Sequence, residues 1–145
     1  MNNIAFFNKL TLALLAHLYS KFPVPCDLDS INFSATLIAD DSIEEIFNFT
    51  GEAHHTFRFL EKEGYIEYSR LHNDTGIFSQ LILTSKGLAV LNSVPDSLAS
   101  KEAIIDRIKS TLEKGALEGA QDSIKELAKS LFSTAVFYVS GQLIG

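Results

Sequence analysis

Two adjacent histidines, His54 and His55, are the residues whose type first suggests chemistry. Imidazole can ligate a metal, carry a proton or change charge near neutral pH. A zinc site, however, needs three or four converging ligands. Neighbours on a helix point about 100° apart, so these two rings do not readily share one ion. The single cysteine, Cys26, stands far away, and no Cys-x-x-Cys or Cys/His spacing accompanies it. The expectation is therefore no metal, with both histidines on the surface, either meeting a partner or without a role. No Ser/His/Asp or Cys/His set and no glycine-rich phosphate loop is present, so neither an enzyme nor a cofactor is expected. Gly115 and Gly119 have a helix-packing spacing, but Glu113, Lys114 and Glu118 surround them, and a helix break is the better reading. A lone thiol closes no internal disulfide, which fits the cytoplasm and a buried cysteine.

The histidines need a helix to hold them. Ala53, Phe57 and Leu60 are spaced for one apolar face, and Gly64 is a good C-terminal stop. Upstream, Asp40-Asp41-Ser42 offers N-cap chemistry to a short helix with Ile43, Ile46 and Phe47 inward, which Thr50-Gly51 breaks. Asn8–Lys21 carries a broad apolar helical face built on Leu10, Leu12, Leu14, Leu15, Leu18 and Tyr19, ended by Pro23 and Pro25. No positive charge precedes that run, and it reads as a buried helix rather than a signal peptide. Cys26–Leu37 alternates around Ile31, Phe33 and Leu37 as a short extended piece. Tyr65–Ser69 and Ile77–Leu83 are rich in β-formers and flank Asn73-Asp74-Thr75-Gly76, a strong turn signal, so the pair predicts a hairpin. A short helix over Leu88–Leu91 follows, closed off by Pro95.

Charge sets a limit on partners. The 145-residue chain has a net charge of −6, and all of the excess lies before Ser100: 6 Lys+Arg against 12 Asp+Glu up to Ala99, then 6 against 6. A DNA-binding surface must neutralise phosphates, so this bias opposes tight non-specific binding while leaving room for a local basic patch.

The order helix, short strand, helix, tight turn, helix, hairpin is the winged helix-turn-helix plan. The segment IEEIFNFTGEAHHTFRFLEKEGYIEYS followed by LILTSKGLAVLN resembles the winged-helix pattern of bacterial transcriptional regulators. It has a short helix, a tight turn, a helix ending in Leu-x-x-x-Gly-x-Ile, and a Leu-Thr-x-x-Gly entry to the next helix. The resemblance covers about Asn8 to Leu91 and implies an α+β fold, mainly helical with a small β-hairpin. It implies that Glu52, His54, His55, Arg58 and Lys62 face outward from a recognition helix, and that Arg70, His72, Asn73 and Thr75 form the wing. Double-stranded DNA is then the expected partner. The helix departs from the usual Arg-, Lys- and Asn-rich pattern of DNA readers, and Phe59 stands where a polar residue is usual. The alternative is a winged-helix module that binds protein and not DNA.

The chain divides into this domain, Met1–Asp96, and a helical segment, Ser97–Gly145. Ser100–Lys114 places Ile104, Ile105, Ile108 and Leu112 on one face. A last helix, Ala120 to Ser140, carries Ile124, Leu127, Leu131, Ala135 and Tyr138 at three- and four-residue steps. Its apolar end, Leu131–Gly145, falls short of the about 20 apolar residues that span a bilayer, and no Lys or Arg follows Lys129 to hold it on a membrane surface. A membrane-associated factor is the third reading. Ile124, Leu127, Leu131, Ala135 and Tyr138, with Phe59, are expected to form a homodimer or partner surface, the alternative being that the tail packs back on its own domain and covers Phe59.

Overall fold

The computed structural model describes residues 3–38, 49–92, 106, 108–112 and 124–129. Helix α1, Asn3–Lys21, runs through the middle of the molecule. Every residue from Asn8 to Ala16 is buried, not just one face. The leucine stripe is the apolar part of a helix packed all round, and Asn8, Lys9 and Thr11 are buried with it. The chain leaves α1 through the cis peptide Phe22–Pro23.

Strand β1 is shorter than its alternation predicts, covering only Cys26–Asp29, and Ser30–Ala35 turns into helix α2. The reason is a cap. Asp29 Oδ1 accepts the N–H groups of Ile31 (3.0 Å) and Asn32 (3.2 Å), and Oδ2 accepts from Asn32 Nδ2 (3.1 Å). Satisfying two otherwise orphaned donors outweighs a weak period-two pattern. The short helix expected over Ile43, Ile46 and Phe47 lies outside the described residues.

Helix α3, Ala53–Lys62, buries Ala53, Phe57 and Leu60. It ends in a Schellman motif around Gly64, whose φ is 87°. The N–H of Tyr65 reaches Leu60 O at 2.9 Å, and that of Gly64 reaches Glu61 O at 3.0 Å. The buried Tyr65 thus returns to the end of the helix it follows.

The sheet is antiparallel and built around β4, Ile77–Leu83. On one edge lies β1. On the other lie β2, Ile66–Glu67, and β3, Arg70–His72, in a single unbroken register that pairs Ile66 with Leu83 and His72 with Ile77. Phe57 of α3 meets Phe78 of β4 at 4.8 Å between ring centroids, and Tyr68 stands edge-on to the same ring. The fold is α+β.

Helix α4, Ser85–Asn92, is fastened by the Thr-Ser-Lys-Gly step. The Thr84 hydroxyl donates to Gly64 O (2.5 Å) and accepts from the N–H of Gly87 (3.0 Å). Lys86 donates to Glu63 O (2.7 Å) and lies over the Tyr65 ring. Gly87 is obligatory, because a Cβ there would stand 2.2 Å from Tyr65 O. These residues close the end of α3 against α4. Farther on, Ile108, Ile124, Leu127 and Ala128 are buried in the same apolar cluster as α1 and the sheet. The expected boundary at Asp96/Ser97 lies outside the described residues.

Candidate functional site

The exposed side of α3 follows from its buried side. With Ala53, Phe57 and Leu60 inward, Glu52, His55, Arg58 and Lys62 share the opposite, solvent-facing stripe. Four of the five residues expected on the recognition helix are therefore brought together. Glu52 occupies the N-cap position, but its backbone is helical and its side chain makes no capping bond. Its carboxylate instead lies 3.4 Å from His55 Nε2.

His54 turns away from that stripe and is half-buried. Its backbone direction diverges from that of His55, as helical geometry requires. The two rings nevertheless lean together, with centroids 4.1 Å apart and planes at 36°. Burial holds the His54 imidazole below the usual histidine range, and the charges of His55 and Arg58 act the same way. Glu52 and the Gly51 carbonyl oppose them. Among the described residues no three His, Cys, Asp or Glu side chains converge as metal ligands.

His54 lines a cavity of about 130 Å³ shared by three elements. Ser30 and Ile31 of α2, His54 of α3 with Gly51 of the turn before it, and Leu71, Asn73 and Gly76 of the hairpin form its walls. The hairpin tip is fixed to α2: Gly76 O accepts both the N–H (3.0 Å) and the hydroxyl (2.7 Å) of Ser30. Gly76 itself has φ 76°, and its N–H closes the turn on His72 O at 2.8 Å. This tie is invisible in the sequence, because Ser30 and Gly76 are 46 residues apart and the turn signal that contains Gly76 says nothing of a distant partner.

The predicted wing residues do not all face one way. Leu71 pairs with the buried Phe78, so Arg70 and His72 occupy the outer face of the hairpin. There His72 Nε2 meets Ser79 Oγ at 3.0 Å. Asn73 and Thr75 are exposed at the tip, with Asp74 between them. Thus α3 and Asn73 border one cavity, while Arg70 and His72 lie on the opposite face of the sheet.

Phe59 is half-buried and stands edge-on to Phe7 of α1, ring centroids 5.7 Å apart. Ile124 and Leu127 are each 3% exposed in the single chain, so both already serve its own core. Leu131, Ala135 and Tyr138 lie outside the described residues. Among the described residues no helix is long and apolar enough to cross a membrane. No protein-family model, curated protein or solved structure matches the chain.

Proposed function

We propose that this chain is a DNA-binding transcriptional regulator of winged-helix type, dimeric through its C-terminal helices. One observation carries the reading: a helix with a polar, solvent-facing stripe has its start at a cavity shared with a fixed hairpin turn. Glu52, His55, Arg58 and Lys62 form that stripe, and the turn Asn73–Gly76 shares a cavity with the helix's first turn. A helix whose polar side is free and whose flank carries a rigid ribbon suits a major groove with a backbone contact alongside. In this reading Arg58 and Lys62 meet phosphate or base edges, and Asn73 and Thr75 donate to the backbone.

A second reading, a protein-binding module on the same plan, has its own support. The α3 stripe offers two fixed cations, Arg58 and Lys62, against Glu52, and the chain as a whole stands at −6. One titration separates the two. The full chain is mixed with labelled random-sequence duplex at low salt, and the salt is then raised. DNA binding predicts a log–log slope of about −0.9 per neutralised phosphate. Arg58→Ala and Lys62→Ala should each weaken binding and flatten that slope by about one. Absence of any binding at the lowest salt leaves the protein-binding module as the better reading.

A further inference from the structure

The α3 surface carries only two fixed cations, Arg58 and Lys62, yet it places two touching imidazoles at the start of the helix. We propose that the His54–His55 pair takes up a proton as α3 meets a phosphate backbone, so that this surface binds DNA more tightly in acid. The inference rests on the DNA-binding reading above and names a control on that same site.

Geometry supports it in three ways. The rings are in contact, centroids 4.1 Å apart, so a charge on one opposes a charge on its neighbour until an anion lies beside them. His55 is open to solvent with Glu52 as its near carboxylate at 3.4 Å, so an incoming phosphate has a protonatable donor to meet. Among the described residues the cavity beside His54 adds no opposing ionisable group. Its walls from α2 are Ser30 and Ile31, and from the hairpin Leu71, Asn73 and Gly76, none of which titrates. The charged groups that face the pair on its own helix are Glu52 and Arg58. The hairpin's Arg70, His72 and Asp74 do not line this cavity.

The proton comes from solvent, and no bond other than N–H is made or broken. A charged imidazole then donates its N–H to a phosphate oxygen. In the free protein burial and neighbouring positive charge hold His54 low. A phosphate seated on the pair offsets the positive charge and raises its affinity for protons. The complex therefore binds more protons than its parts, and by linkage the affinity climbs as pH falls.

The test measures the dissociation constant of the full chain for a short random-sequence duplex, at fixed low ionic strength, at about pH 7.5, 6.5 and 5.5. Uptake of one proton should tighten binding by about tenfold or more across that window. In the His54→Gln/His55→Gln double variant the gain should shrink below about twofold, with circular dichroism confirming the fold at each pH. Histidine proton NMR gives a second readout in the unmutated chain: the midpoint of the pair should rise when duplex is added. Binding that ignores pH would overturn the proposal and leave the DNA reading standing, as would an acid gain that survives in the double variant. Absence of binding at every pH would overturn both.

Discussion

Gln80 shows how far a single residue can depart from what its type favours. Its φ is 59°, a left-handed conformation that carries a steric penalty for any residue with a Cβ. The cause is local: β1 and β4 lose register between Cys26 and Leu28, and β4 bulges where Gln80 sits. The freed N–H is caught at 3.0 Å by Asp27 Oδ1. Gln80→Gly should relieve about 1–2 kcal/mol of strain and give back about 0.5–1 kcal/mol through the looser unfolded chain. A net gain of about 0.5–1 kcal/mol is expected, read as a higher urea midpoint at unchanged slope. Asp27→Ala should cost about 1 kcal/mol by releasing that N–H. A loss of stability in Gln80→Gly would mean that the side chain does something beyond tolerating the bend. Residues of this kind were not legible beforehand. Gly64 announced a helix end because glycine is the usual residue there, whereas nothing about glutamine announces a bulge.

At the scale of elements, α1 is legible in type and in its end at Lys21, but it starts at Asn3 rather than Asn8, and its role is not legible. Its leucines predict a face, yet burial continues through Asn8, Lys9 and Thr11. The polar members of the helix have a cost. Asn8 Oδ1 and Thr11 Oγ1 find no hydrogen-bond partner among the described residues, and burial lowers Lys9 below its ordinary value near 10.5. For a lysine lowered in this way the unfolded chain binds the proton more tightly. Stability is therefore reduced at neutral pH and recovers as pH climbs from the native value toward 10.5. Lys9→Met keeps the length of the stem and removes the buried ammonium. It should raise the denaturation midpoint at neutral pH and reduce the alkaline rise relative to the parent. An unchanged difference between the two proteins from neutral to alkaline pH would show that Lys9 keeps its charge hydrated. α2 was missed for a related reason. A single carboxylate, Asp29, decides between strand and helix, and the alternation of Ile31, Phe33 and Leu37 carries no trace of that decision.

For the whole molecule, the α+β class and the hairpin could be read from periodicity and turn residues, because these are local signals. What joins α2, α3 and the hairpin tip could not, since it rests on Ser30 meeting a carbonyl 46 residues away. The same limit applies to the C-terminal segment. Its heptad-like spacing made one surface of Ile124, Leu127, Leu131, Ala135 and Tyr138, but Ile124 and Leu127 are buried with Ile108 and Ala128 in the core of their own chain. If the segment covers that core with its first turns and pairs with a second copy through its later ones, its residues fall into two classes that respond differently to mutation. Leu127→Ala should then cost about 2–5 kcal/mol of stability through the cavity it leaves, with the dimer mass unchanged at concentrations where the protein stays folded. Leu131→Asp and Tyr138→Asp should do the reverse, keeping the fold while shifting the mass from dimer to monomer in sedimentation equilibrium. A parent chain that is monomeric at every accessible concentration would remove the two-fold symmetry from the proposed regulator. Recognition would then rest on one α3 stripe and one hairpin, with half the contacts that a palindromic operator assumes.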